Sequence, residues 1–207
     1  IDRAFELKGD TSAGEPTPGH DTLLLIHSDT SDGSTTFVDS SQFGRTITVA
    51  GNAQHDTAQK PFGASSILFD GTGDYLTVPD SNDWAFSNAF TIDFWMRAAG
   101  VGVNQPLIGQ WSSGSNSGIA WYIFRHSSNV IEFTFGNGSS STSAVSTSTL
   151  AATTWYHIAC VYDVGKMGLW HNGTSQTTTS STIVTNNLGL VVDIGRDFAG
   201  RYFNGHL

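Results

Sequence analysis

Residues 65–97 read SSILFDGTGDYLTVPDSNDWAFSNAFTIDFWMR, and the fold is decided there. Two short apolar runs, 66–69 and 74–78, flank the turn Asp70-Gly71-Thr72-Gly73. A second turn-rich segment carries Pro79, Asp80, Ser81, Asn82 and Asp83, and a longer run, 90–97, follows it. Glycine, asparagine and aspartate supply the positive φ or the self-capping carboxylate that tight turns need, while the flanks are β-branched or aromatic. The stretch therefore predicts strand, hairpin, loop and central strand in succession.

The same grammar extends outward in both directions. Residues 23–27 (LLLIH), 35–38 and 45–50 read as short strands separated by turn clusters. Downstream, 106–111 is a strand, and 119–125 with 130–135 is a hairpin joined by His126-Ser127-Ser128-Asn129. Residues 137–154, nearly all Ser, Thr, Ala and Gly, are expected to be an exposed edge strand plus loop. In 155–163 (WYHIACVYD) Trp155, His157, Ala159 and Val161 share one face and Tyr156, Ile158, Cys160 and Tyr162 the other. Both faces are largely apolar, which predicts a strand covered on both sides, with Trp95 and Trp155 in the core and His157 hydrogen-bonded inside it. Asn172-Gly173 suits a type I′ turn, and 188–195 and 201–207 complete the series. About 13 candidate strands with no 3.6-residue periodicity predict an all-β, two-sheet antiparallel jelly-roll sandwich.

Composition agrees and narrows function. The 207 residues suit one domain; 38% are hydrophobic, 12% aromatic and only 13% charged, so Ser, Thr, Asn and Gly fill the surface. A net charge of −9 argues against a nucleic-acid surface, which needs a basic face. No run approaches the ~18 apolar residues of a membrane span. The single cysteine, Cys160, permits no intrachain disulfide and reads as a buried thiol. Residues 1–19 are expected to be a linker or the tail of a preceding element, with the domain spanning 20–207. No signal-peptide pattern opens the sequence, which reads as a fragment or processed piece.

These motifs resemble the laminin G-like domains of the concanavalin A-like lectin/glucanase fold. The resemblance is carried by Ile67-Leu68-Phe69-Asp70-Gly71-x-Gly73-Asp74-Tyr75-Leu76-x-Val78-Pro79, Phe90–Arg97, Trp155–Ala159, Leu169–Gly173, Ile194-Gly195 and Phe203-Asn204-Gly205. The Ser/Thr/Asn/Gly-rich variant is similar to copies in bacteriophage tail-fibre and other virion proteins. Such domains also accompany catalytic modules in secreted bacterial polysaccharide-degrading enzymes. The family implies 12 to 14 strands. It also implies a last strand continuing past Leu207, and a structural Ca²⁺ for which Asp39 best matches the ligand loop; Asp29, Asp32, Asp70 and Asp74 are further oxygen donors in turns.

Catalysis finds little support. Glycoside hydrolysis needs two carboxylates about 5–10 Å apart, and Glu132 and Asp93 each stand alone on their strands. No Gly-x-Ser-x-Gly elbow is present. Sugar binding needs aromatic faces with amide and carboxylate partners. Three groups offer them: Trp111 with Gln110 and Asn116; Trp121 with Tyr122 and His126; Trp170 with His171 and Asn172. For the three tryptophans, core and site remain open. The expected function is a non-catalytic carbohydrate-binding or adhesion module of a bacteriophage virion protein, meeting a host surface glycan and other virion proteins. The alternatives are a binding module of a secreted enzyme, extracellular in location, or a purely structural virion domain.

Overall fold

A computed structural model describes residues 5–9 (backbone only), 22–86, 89–163 and 165–207. The strands in chain order are β1 (Phe5–Gly9), β2 (Thr22–Ile26), β3 (Thr48–Ala50), β4 (Gln54–Asp56), β5 (Ser66–Asp70), β6 (Tyr75–Val78), β7 (Phe90–Ala98) and β8 (Gln105–Trp111). There follow β9 (Ile119–Arg125), β10 (Ile131–Gly136), β11 (Ser141–Val145), β12 (Tyr156–Asp163), β13 (Lys166–His171), β14 (Thr174–Ser180), β15 (Val192–Ile194) and β16 (Asn204–His206). They form two antiparallel sheets. One runs β14-β13-β12-β7-β16-β5-β4, with β1 and β2 added beside β7, nine strands in all; the other runs β11-β10-β9-β8-β15-β6-β3. The jelly-roll sandwich expected from the sequence is the fold.

β7 is the axis. One edge pairs with β12 from Phe90 to Met96; the other pairs with β1 from Phe90 to Phe94 and then with β16 at Arg97 and Ala98. Its burial alternates without a break, placing Phe90, Ile92, Phe94 and Met96 in the core and Thr91, Asp93, Trp95 and Arg97 outward. Phe90 stacks on Phe86 (4.1 Å), Phe135 (5.0 Å) and Tyr162 (5.8 Å), so one ring ties both sheets together.

Several expectations need correction. Residues 5–9 pair with both β2 and β7, so this segment is sheet rather than linker or tail; residues 10–21 lie outside the described set. Residues 35–38 form no strand, whereas Thr174–Ser180, unmarked by any apolar residue, does. Trp95, Trp155 and His157 are half-buried on the outward face of the nine-stranded sheet, not inside the sandwich. Tyr156, Ile158, Cys160 and Tyr162 are the inward-directed set. The chain pairs through Leu207, which exchanges two backbone hydrogen bonds with Ile67.

The opening hairpin is locked by a buried carboxylate. Asp74, fully buried, accepts the backbone N–H groups of Asn52 (2.7 Å) and Asp70 (2.9 Å), joining two turns. Gly51 lies against it at φ +69°, where a Cβ would stand 2.2 Å from Asp74 Oδ1 and 2.7 Å from the Gly73 carbonyl. Gly51→Ala should therefore cost about 2–3 kcal/mol of unfolding free energy in urea, from the strained φ and the displaced carboxylate together.

Burial also perturbs three histidines. Desolvation lowers the pKa of His55, of His206 despite its Asp56 partner, and of His171, which falls from 6.5 to about 4. Both ring nitrogens of His171 are buried without a partner. Between pH 6.5 and 4 the unfolded chain thus binds more protons than the folded one, and acidification removes stability. Urea titrations across that window should show His171→Leu with a shallower pH slope than the parent.

Candidate functional site

The outward face of the seven-stranded sheet carries a cleft of about 190 Å³. Trp111 ends β8, Tyr122 and Phe124 project from β9, Glu132 projects from β10, and His126 opens the turn between those two strands. Phe198 and Arg201 close the cleft from the loop bracketed by the Arg196–Tyr202 bridge. That loop is shaped by the buried Asp197 carboxylate, which accepts the N–H groups of Ala199 (2.9 Å) and Arg201 (2.9 Å) and the Arg201 Nε–H (2.5 Å). The cleft thus depends on a long-range loop rather than on one hairpin.

Aromatic rings form one wall. Trp111 lies 4.1 Å from Tyr122 at 30°, with Phe198 and Phe124 edge-on at 5.4 and 5.9 Å. The Trp111 indole N–H is buried and has no partner. Gly109 makes room for Tyr122, because a Cβ there would sit 2.7 Å from the tyrosine Cβ. Polar groups form the other wall: His126 Nε2 and Glu132 Oε2 are 2.7 Å apart, and Thr134 donates to Glu132 Oε1 at 3.1 Å. The Arg201 guanidinium rests over the Phe124 ring at 4.8 Å. Burial raises the pKa of the Tyr122 phenol, so it stays protonated at neutral pH.

The candidates from the sequence divide. Trp111 and His126 meet in this cleft. Trp121 does not: it is fully buried in the core and donates to the Trp84 carbonyl at 3.2 Å. Gln110 is likewise fully buried; its amide N–H groups reach the Leu190 carbonyl (2.7 Å), Asp80 (3.1 Å) and Asn187 (3.4 Å), which makes it a loop tie. Asn116 is exposed, but its amide bridges the Ser139 carbonyl and the Ser141 hydroxyl. Asn172 sits in its turn at φ 48° and accepts the His157 N–H at 2.8 Å. Trp170 lies on the opposite sheet, half-buried. Phe198 and Arg201 were invisible to the sequence reading, since only the tertiary fold brings 197–201 beside β9. Tyr122 was named from the sequence together with Trp121 and His126; Phe124, its alternate on β9, was not.

Asp39 is 5% exposed and serves as a cap. Oδ1 accepts the N–H groups of Leu25 and Ser41, and Oδ2 accepts the Ser41 hydroxyl and the Arg45 N–H. Four donors occupy its lone pairs, so the residues present do not fit a Ca²⁺, which takes six to eight oxygen ligands. Among the described residues no cluster of three His, Cys, Asp or Glu could hold a metal. Asp29, Asp32 and Asp70 also cap backbone N–H groups, at Ala64, Thr57 and Thr72.

One nucleophile-like pair exists elsewhere. Ser28 Oγ lies 2.6 Å from His55 Nδ1, and His55 Nε2 lies 3.0 Å from the Thr36 carbonyl, which fixes Nδ1 as the acceptor. The adjoining cavity, about 20 Å³, has the size of a water site and is too small for a substrate.

Residues 70–207 match a laminin G-type family model of the concanavalin A-like lectin/glucanases superfamily. The chain belongs to this family. Comparison with curated protein sequences gives no significant match. Among solved structures, domain 4 of AbnA, a GH43 extracellular arabinanase from Geobacillus stearothermophilus in complex with arabinotriose, superposes with a TM-score of 0.62 at 14% identity, covering 84% of this chain and 83% of that one. The Ruminococcus gnavus IT-sialidase CBM40 bound to α2,3-sialyllactose gives 0.55 at 13%, covering 69% and 85%. The receptor-binding domain of botulinum neurotoxin type G gives 0.60 at 16%, covering 88% of this chain. The chain spans about half the length of that receptor-binding domain. At these identities the likeness establishes the shared fold.

Asp39→Ala should lower the thermal midpoint by several degrees, consistent with about 2 kcal/mol lost when four donors lose their acceptor. EDTA should leave the parent midpoint unchanged in the same scans.

Proposed function

We propose that the domain is a non-catalytic carbohydrate-binding module and that the cleft between Trp111 and Glu132 receives the sugar. The observation that carries this reading is the pairing of an aromatic wall with a hydrogen-bonded His126–Glu132 pair and a partly exposed Arg201 across one cleft. Ring faces accept the apolar side of a pyranose or furanose, and the opposite wall meets its hydroxyls. Glu132 is the only carboxylate among the described residues lining the cleft. It is engaged by His126 and Thr134, which favours binding over the two-carboxylate chemistry of glycoside hydrolysis.

The biological setting in this proposal is a bacteriophage virion protein, a tail fibre or capsid-surface fibre that contacts a host surface polysaccharide and other virion proteins. Its support is the Ser/Thr/Asn/Gly-rich, acidic sequence and its resemblance to virion copies of the domain. A second reading places the module in a secreted, extracellular polysaccharide-degrading enzyme. The arabinanase and sialidase modules, of which it covers 83% and 85%, favour that reading. Acidity speaks against nucleic acid in either setting, and no described helix is long and apolar enough to cross a membrane.

A glycan array probed with the labelled domain should give a restricted set of positive saccharides. Tyr122→Ala and Phe198→Ala should each weaken the best of them about tenfold, the worth of one stacked aromatic contact. An array with no signal, or signals that survive both substitutions, refutes the cleft as the binding site.

A further inference from the structure

We infer that the outward face of the nine-stranded sheet carries a second saccharide platform, built on Trp170, Asp93 and His157 and selective for neutral hexopyranose rings. It rests on the proposed function only for the class of ligand; its place in the molecule is separate.

The platform follows from one glycine and the strand register. Gly168 and Trp170 are successive outward residues of β13. A Cβ built on Gly168 would stand 2.2 Å from Trp170 Cη2 and 2.4 Å from Cζ3, so the six-membered ring of the indole lies directly over the glycine. Gly168 is buried beneath it, while Trp170 itself stays partly exposed. The indole is thereby laid on the sheet instead of standing off it.

Next to it, Ala159 pairs with Trp170 on one side and with Asp93 on the other. The ring itself, laid over Gly168, stands beside Val161, the partner of Gly168, so Val161 and the small Ala159 together form the floor between the indole and the carboxylate, whose strands lie roughly 10 Å apart, two inter-strand spacings. His157, one outward position along β12, holds Asp93 with Nε2 3.0 Å from Oδ2, and both side chains remain about a quarter exposed, at 29% and 25%. Trp95 packs beside His157 at 5.5 Å and continues the surface.

A hexopyranose stacked by its apolar face on Trp170 would direct adjacent hydroxyls across Val161 and Ala159 toward Asp93, which His157 holds in place. A carboxylate accepts from two hydroxyls at once, which suits a vicinal diol. The same carboxylate, on a protein of net charge −9, repels a uronate or sialate, hence the preference for a neutral ring.

The test uses ¹⁵N-labelled domain, whose six tryptophan indole N–H signals are assigned by Trp→Phe variants. Methyl β-galactoside and methyl β-glucoside are titrated, with N-acetylneuraminic acid as the acidic comparison. The Trp170 signal should move with at least one neutral sugar, and should still move in the Tyr122→Ala/Phe198→Ala cleft variant. Gly168→Ala, which displaces the ring by one methyl group, and Asp93→Asn should each weaken that titration about tenfold while the Trp121 core signal stays in place. A Trp170 signal that is unmoved by both neutral sugars, or moved only by N-acetylneuraminic acid, overturns the platform. Movement of Trp111 without Trp170 rejects the platform and leaves the cleft standing; movement of Trp170 without Trp111 supports the platform, while the cleft is judged by the array.

Discussion

The strict two-residue alternation of β7 is the constraint on which the rest of the molecule depends. Nine residues carry it without interruption, and three other strands take their register from it. A slip of one residue would turn Phe90, Ile92, Phe94 and Met96 to solvent and bury Asp93 and Arg97, a change no surrounding packing could absorb. The Phe90 ring then passes this registration to the opposite sheet through Phe86 and Phe135. Fold and surface chemistry are therefore fixed together: the residues that build the core also decide that Asp93 and Trp95 face outward.

Both faces of the sandwich owe their chemistry to gaps as much as to side chains. Gly109 leaves space for Tyr122 to approach Trp111, and Gly168 leaves space for the Trp170 ring. At Gly109 the volume of the missing Cβ is taken by the Tyr122 Cα and Cβ and the Trp121 carbonyl, at Gly168 by the Trp170 ring itself. The Trp170 ring is thus held at the surface by contact with backbone, without the entropy loss that a long flexible side chain would suffer on binding. The acidic residues have a different task. Asp39, Asp74 and Asp197 each gather several N–H donors and hold loops to strands.

Much of this was legible in the sequence. The Asp70–Gly73 hairpin, the Asn172-Gly173 turn and the strand at 90–97 follow from turn chemistry and alternation, which are local. The misreadings of Trp95, Trp155 and His157 share one cause. In 155–163 both alternating faces are apolar enough to be core, and a sequence does not say which one meets the second sheet. Trp155 and His157 were assigned inward for that reason, and Trp95 with them. Trp121, for which core and site stood open, is decided by the tertiary fold: the indole finds its acceptor at the Trp84 carbonyl, a contact across 37 residues that no local pattern encodes. Phe198 and Arg201 belong to the same class of long-range placement, and so does β14, whose Ser/Thr sequence has no apolar period to announce a strand.

The two Ser/Thr-rich strands have a consequence for life at high local density. β11 and β14 form the outer edges of their respective sheets on the same side of the sandwich. Thr147 and Ser148, just past β11, bond Gln176 of β14, and a register shift opposite Gln176 interrupts the ladder. An edge that is bulged, clipped to its neighbour and coated with hydroxyls is a poor template for another strand. Neighbouring copies of the domain are thereby kept from zipping together through their backbones. Resistance to edge-to-edge pairing is in this sense written into the least conspicuous part of the sequence.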